Sequence, residues 1–113
     1  MSASPIPNNA ALLVLTSFPD EAVAKQIAGR LVEEKLAACV SLLPSVQSIY
    51  FWEGAIQHDA EWLGLIKTQA SRYRNLEQRI LELHPYDTPE ILAMDVAAGS
   101  AAYLKWIDQT LSR

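Results

Sequence analysis

The 113-residue sequence lacks most features of secreted, membrane-spanning and nucleic-acid-binding proteins. It has one cysteine, Cys39, which excludes the intramolecular disulfides that stabilise small domains in oxidising compartments. It has no run of about 18 apolar residues, which excludes a membrane-spanning helix. Its net charge of -4 disfavours nucleic acid and anionic membranes as partners, since both are polyanions. These absences predict a soluble, cytoplasmic protein.

The composition is that of a globular protein with one hydrophobic core. Half of the residues are hydrophobic and only 19% are charged, a balance that is not typical of disorder. The first ten residues, "MSASPIPNNA", are polar and contain prolines, without the basic start and apolar run of a signal peptide. We therefore expect a flexible segment over 1–10 and a single domain over 11–113.

Apolar periodicity predicts four strands and three helices in the order βαββαβα. The strands are expected at 11–16, 38–54, 61–68 and 90–97, and the helices at 20–36, 71–84 and from Ser100 onward. Pro44 is expected to mark a bend or bulge, and Glu53 with Gly54 a hairpin turn. Two helical crossovers around a long central hairpin predict an α+β, ferredoxin-like fold with helices on one face of an antiparallel sheet.

Three local features add expectations to this outline. The first strand shows no alternation of apolar and polar residues, which predicts burial on both faces. Asp20 and Glu21 are expected in the first turn of the first helix, where they favour its dipole. Ser71 and Ser100 are expected to be the N-caps of the second and third helices.

The long hairpin is apolar on both of its faces. Ile49 and Phe51 point to one side, and Tyr50 and Trp52 to the other. A two-layer fold covers only one face of its sheet, and exposed aromatic side chains on a hairpin favour pairing with another chain. The sequence therefore predicts a homo-oligomer.

Candidate metal ligands are few and have no motif spacing. The sequence contains His84, His58 and Cys39, but no CxxC, HxH or HExxH motif. His84 is either a metal ligand or the last residue of a helix that Pro85 ends. Cys39 is either a soft ligand for copper or zinc, or a small buried hydrophobic residue. The polar surroundings of His58 favour simple solvation.

The motifs of common enzyme classes are absent. No GxSxG motif and no glycine-rich phosphate loop occurs, and no nucleophile can be paired with a base from spacing, so we do not expect an enzyme. Glu61 and Lys67 are six residues apart on one strand and share a face, with Tyr50 or Trp52 on the paired strand beside them. This group is either part of a ligand site or a polar pair at an interface.

Five segments together resemble the CutA family of divalent-cation tolerance proteins. They are "EEKLAACVSLLP" (33–44), "SIYFWEG" (48–54), "EWLGLIKT" (61–68), "HPYDTPEI" (84–91) and "YLKWI" (103–107). The resemblance implies a stable cytoplasmic homotrimer of ferredoxin-like subunits, similar in architecture to the PII signalling proteins. It also implies a role in tolerance of, or response to, divalent metal ions.

The resemblance implies weak copper binding at the motif His84-Pro85-Tyr86. Copper-linked members carry a cysteine where Thr16 stands here and a second histidine where Leu83 stands, so only His84 remains of their three ligands. An alternative function is that of a PII-like signalling trimer whose intersubunit cleft binds a small ligand or a partner, without a metal role. The candidate cleft residues are Tyr50, Trp52, Glu61, Lys67 and Tyr86.

Overall fold

Four strands and three helices follow one another in the predicted order. The structure is a computed structural model that describes residues 7 and 9–112. The elements are β1 (Ala11–Phe18), α1 (Glu21–Glu33), β2 (Cys39–Trp52), β3 (Ala55–Gln69), α2 (Ala70–Leu83), β4 (Leu92–Asp95) and α3 (Ala101–Leu111). Most of the segment predicted to be flexible, 1–10, lies outside the described residues. The α+β class and the element order are confirmed.

The strands form one antiparallel sheet in the order β2-β3-β1-β4. Helices α1 and α2 cover one side of it, which we call the helix-covered face. The core between the sheet and these helices consists of Leu12, Val14, Phe18, Ala24, Ile27, Leu31, Ala37, Ile66, Leu76 and Ile80.

Strand β1 is buried on one face and only half-buried on the other. Leu12, Val14, Thr16 and Phe18 are buried under the helices, whereas the alternate residues are intermediate. The expectation of burial on both faces is therefore not met within one chain, because α1 and α2 lie on the same side of the sheet. Apolar and polar residues do not alternate in the sequence of β1 because the half-buried face is also apolar.

The helix ends agree in part with the predictions. Asp20 lies just before α1 as its N-cap and accepts a hydrogen bond from the Val23 amide (2.8 Å), rather than lying inside the first turn. Ser100 is the N-cap of α3 and accepts from the Tyr103 amide (3.2 Å), as predicted. The prediction for Ser71 is wrong: α2 begins at Ala70, directly after β3.

The β2–β3 hairpin is longer than predicted. Its turn lies at Glu53 (φ 50) and Gly54 (φ 78), as expected for a two-residue turn with a left-handed backbone. The pairing shifts register between Leu43 and Val46, so Pro44 lies in a bulge as predicted. Strand β3 begins at residue 55 instead of 61, because the polar segment before Glu61 pairs with β2.

The side of the sheet opposite α1 and α2 is the open face. It carries the partners Leu13↔Met94, Leu15↔Leu92 and Leu43↔Leu63, and Leu15 also lies opposite Leu65 of β3. Leu92, Met94 and Leu43 are exposed. The long hairpin continues beyond β1 over residues 46–61, so this side of the sheet extends along an arm of two strands.

The third helix lies where β2 begins and β3 ends. Ile107 and Leu111 pack with Ala38 in a small separate core. The Gln69 amide donates to the Asp108 carboxylate (2.9 Å), and the Arg72 guanidinium donates to the Leu111 carbonyl. Helix α3 is thus fixed by polar contacts as well as apolar ones.

Within the described part of the chain, none of the helices is long and apolar enough to cross a bilayer.

Candidate functional site

His84 follows the last residue of α2 and lies against the C-terminal end of β1. It is the C-cap residue, and its backbone amide donates to the Ile80 carbonyl (2.8 Å). Its side chain is only 7% exposed, and its ring stacks on Phe18 with the ring centroids 5.6 Å apart. The imidazole is therefore part of the end of the core.

Both nitrogens of the His84 ring have partners within the chain. The Tyr86 amide donates to Nδ1 (3.1 Å), so Nδ1 is unprotonated and Nε2 carries the proton. Nε2 donates to the Ser17 carbonyl of β1 (2.7 Å). The carbonyl partner of the ring thus belongs to β1 and not to α2. A metal ion at His84 has to displace one of these two hydrogen bonds.

Tyr86 connects the segment after α2 with strand β3 of the hairpin. Its hydroxyl donates to Oε2 of Glu61 (2.8 Å), and its ring lies 4.7 Å from that of His84. Burial first, and the hydrogen bond to Glu61 second, raise the pKa of Tyr86 well above its usual range. The phenol is therefore protonated at neutral pH and acts as a donor.

A second phenol and carboxylate lie beside this pair. The Tyr50 hydroxyl donates to the Asp59 carboxylate, across the two strands of the hairpin. This hydrogen bond, followed by burial, raises the pKa of Tyr50. Asp59 lies two residues before Glu61 on the same face of β3, so the two pairs are neighbours. The charge of Asp59 also raises the pKa of Tyr86. Two protonated phenols and two carboxylates thus lie in one region.

Two adjoining cavities open between the hairpin and the segment after α2. One, of about 320 Å³, is lined by Tyr50, Trp52, Tyr86, Asp87 and Thr88. The other, of about 480 Å³, shares Tyr50 and Thr88 with the first and extends along the open face. Its other lining residues are Leu15, Ser17, Val46, Ser48, Ile49, Glu61, Leu63 and Glu90. We call the two together the hairpin cleft. It contains four of the five predicted cleft residues.

Lys67, the fifth predicted cleft residue, belongs to another group. Its ammonium donates to the Ser41 hydroxyl and lies 3.9 Å from the Cys39 sulfur. Both Cys39 and Lys67 are half-buried on the open face, as a directly paired couple of β2 and β3. Burial first, and Cys39 second, raise the pKa of the neighbouring Tyr103. Glu61 and Lys67 share a face, as predicted, but they have different neighbours.

The remaining residues singled out in the sequence lie in three different environments. His58 is exposed on β3, opposite Ile49. Thr16 is fully buried on the helix-covered face, and its hydroxyl has no hydrogen-bond partner among the described residues. Leu83 is half-buried and packs against the main core. Both Thr16 and Leu83 are therefore part of, or packed against, the hydrophobic core.

No set of three or more histidine, cysteine, aspartate or glutamate side chains is grouped for metal binding within residues 7 and 9–112. His84 has the protonated phenol of Tyr86 beside it rather than a carboxylate. A metal site with three protein ligands therefore requires residues from outside the described part of one chain.

Thr88 and Glu90 line the cleft and Asp59 lies beside it, bonded to Tyr50; none of the three was predicted from the sequence. Asp59 lies two residues before Glu61 on β3, so the period of two along the strand was a usable signal for it. Thr88 and Glu90 lie in an irregular segment between α2 and β4, whose path no periodicity predicts.

The family model described as "CutA1 divalent ion tolerance protein" matches residues 12–110. The chain belongs to this family. A Thermus thermophilus protein named "Divalent-cation tolerance protein CutA" is 46% identical over 95 residues, which cover 84% of this chain and 92% of that protein.

Two solved structures show the same fold. CutA from Xylella fastidiosa superposes with a TM-score of 0.88 at 39% identity, covering 90% of this chain and 98% of that one. The "Periplasmic divalent cation tolerance protein CutA" from Archaeoglobus fulgidus superposes with a TM-score of 0.87 at 34% identity, covering 89% and 98%. The predicted resemblance to the CutA family is thereby confirmed.

Proposed function

We propose that this protein acts in tolerance of, and response to, divalent metal ions, as a cytoplasmic homotrimer of ferredoxin-like, PII-like subunits without catalytic activity. The names of its relatives support the metal role. The open face supports the assembly, since one chain leaves its leucines uncovered. The single cysteine agrees with a reducing compartment. The Archaeoglobus fulgidus relative is named as periplasmic, so fractionation of cells that produce this chain tests the location.

We further propose that His84 provides weak binding of copper, with Cys39 as a secondary candidate that lies beside Lys67 on the open face and could join His84 only from a neighbouring subunit. Both nitrogens of the ring are hydrogen-bonded, and among the described residues no group of acidic or sulfur ligands surrounds it. Binding must break the contact with Ser17 or with Tyr86. We therefore expect low affinity, with further ligands supplied by a neighbouring subunit.

Calorimetric titration with copper(II) tests this proposal. His84→Ala should abolish the heat of binding, whereas His58→Ala removes the other, exposed histidine and should bind like the unmodified protein. Circular dichroism and light scattering confirm that His84→Ala keeps its fold and mass. Equal copper binding by both variants would remove His84 as the ligand. Restoration of copper resistance in a strain that lacks its own CutA tests the cellular role.

A second candidate function is PII-like binding of a small ligand or partner at the hairpin cleft. The observation in its favour is that Tyr50, Trp52, Tyr86 and Glu61 line two adjoining cavities. Ligand sites are commonly concave, with aromatic walls and a few polar groups. Thermal-shift screening with nucleotides, small anions and organic cations tests it, and no response to any of them would count against a ligand.

A further inference from the structure

Glu61 is the buried carboxylate among the charged residues that line the hairpin cleft, whereas Asp87 and Glu90 are exposed. Its side chain is 8% exposed, and its one hydrogen bond among the described residues comes from the neutral Tyr86 phenol, to Oε2. No lysine, arginine or histidine of the described chain forms an ion pair with it. A buried carboxylate without a counter-charge is costly, so a cation beside Glu61 would be stabilising.

The walls of the cleft are aromatic next to this carboxylate. Tyr50, Trp52 and Tyr86 line the first cavity, and Tyr50 continues into the second, which contains Glu61. Trp52 is 56% exposed, which leaves much of its indole free for contact. Tryptophan and tyrosine rings attract ammonium and guanidinium groups to their faces, especially where water is excluded.

The remaining charges in the cleft have the same sign as Glu61. Asp87 lines the first cavity and Glu90 the second, and neither cavity is lined by a lysine or arginine. Asp59 lies close by, hydrogen-bonded to Tyr50. An anionic ligand such as a nucleotide phosphate would be repelled here.

An organic cation fits this cleft better than a metal ion does. A metal ion needs several oxygen, nitrogen or sulfur ligands at short distance, and the described residues contain no such group of three. The combined cavities, of about 320 and 480 Å³, are of the size that holds a small organic molecule. An ammonium or guanidinium group also gains from the aromatic walls, which a hydrated metal ion does not require.

We propose that the hairpin cleft binds a small organic cation, whose ammonium or guanidinium group pairs with the carboxylate of Glu61 beside the rings of Tyr50 and Tyr86, while the rest of the ligand extends toward Trp52. The inference rests on the ligand-binding function proposed above and is independent of the divalent-ion role. Tyr86 holds the Glu61 carboxylate in place by its hydrogen bond, and the second carboxylate oxygen is left for the ligand.

Calorimetry with butylguanidinium and its uncharged analogue butylurea tests the proposal on the assembled protein. We expect one butylguanidinium site per chain and no binding of butylurea or inorganic phosphate. Glu61→Gln keeps the size of the side chain and should weaken binding by at least about 30-fold, as is typical for removal of one partner of a buried charge pair. Glu53→Gln makes the same change at the exposed hairpin turn and should leave the affinity unchanged.

A second pair of variants covers the possibility that Glu61→Gln alters the fold or the assembly. Trp52→Leu removes the aromatic wall beside the butyl chain and should weaken butylguanidinium roughly three- to tenfold, and Trp106→Leu on α3 should not weaken it. Binding of butylurea or phosphate instead would overturn the cation class while the cleft remained a ligand site. No binding of any probe would overturn both. A lower mass of Glu61→Gln in light scattering, with Trp52→Leu binding normally, would make Glu61 a subunit contact and refute the proposal.

Discussion

The two faces of the sheet differ in how completely the rest of the chain covers them. On the helix-covered face, Val14, Phe18 and Ile66 are fully buried by α1 and α2. On the open face of the same strands, Leu13 and Leu15 are only half-buried, and Leu92 is 57% exposed. Both faces are apolar, so the difference lies in what covers them. One face forms the core of the chain, and the other is an exposed apolar surface of the kind that forms interfaces.

The charges follow the same division. On the outer side of the helices, Arg79 binds Glu34 (2.9 Å) and Glu82 (3.0 Å), so these groups have partners within the chain. On the open face, Glu61 and Lys67 form no ion pair among the described residues. On the open face, apolar side chains therefore stay uncovered and charged side chains stay without ion pairs among the described residues. Both observations favour partners outside the single chain.

Truncation of a core side chain should give the largest loss of stability. Phe18→Ala removes a fully buried ring that also stacks on His84, and it should lower the free energy of unfolding by about 3–5 kcal/mol. Phe51→Ala, at a position 73% exposed on the hairpin, is the control. Chemical denaturation measures both. A loss of similar size at Phe51 would mean that the hairpin is buried as deeply as the core.

Two glycines should respond to alanine in opposite directions. A Cβ at Gly64 would lie 2.9 Å from the Phe18 ring, so Gly64→Ala overpacks the core and should cost about 1–3 kcal/mol. A Cβ at Gly29, in α1, meets nothing within 4 Å, so Gly29→Ala should stabilise by about 0.5–1 kcal/mol. Thermal unfolding of the two variants should shift in opposite directions; a stable Gly64→Ala would contradict the close contact on the helix-covered face.

Disruption of the open face should alter assembly and leave the fold of the chain intact. Leu92→Asp introduces a charge opposite Leu15 and should dissociate the oligomer, with an effect of less than about 0.5 kcal/mol on the fold of the isolated chain. Leu81→Asp, exposed on α2, is the matched control and should keep its mass. Light scattering together with circular dichroism measures the two effects. An unchanged mass for Leu92→Asp would place the interface elsewhere.

The smallest effect should come from the pairing of Glu34 with Arg79. The hydrogen bond from Arg79 is the main reason why the pKa of Glu34 is lowered from 4.5. Because the folded pKa lies below the unfolded one, the pair stabilises the protein above pH 4.5, and this contribution is lost as the pH falls through the folded value. The stability difference between the unmodified protein and Glu34→Gln should therefore shrink below pH 4.5. A difference that does not change with pH would contradict the pairing.

The sequence predicted those parts of the fold that depend on local chemistry. The hairpin turn at Glu53 and Gly54 requires a left-handed backbone, and the cap at Ser100 and the bulge at Pro44 follow from single side chains. Ser71 was mistaken for a cap because β3 continues into α2 without a loop, which a capping pattern does not reveal. Strand β4 is shorter than predicted, since it pairs only with residues 12–15 of β1.

The candidate site was predicted only in part, for a physical reason. Tyr50, Trp52 and Glu61 lie on paired strands, and their common face follows from the period of two. The position of Tyr86 on Glu61 was not predictable from periodicity, because it depends on the path of the irregular segment after His84. Lys67 shares the face of Glu61, but six residues along a strand span roughly 20 Å, which separates it from the cleft.

The mass of the unmodified protein in solution shows directly whether the open face is an interface between copies of this chain. Light scattering over a range of concentrations should give three times the chain mass of 12.5 kDa, without dissociation at micromolar concentration. A mass of 12.5 kDa at all concentrations would show that the open face stays uncovered in solution, and would contradict the account.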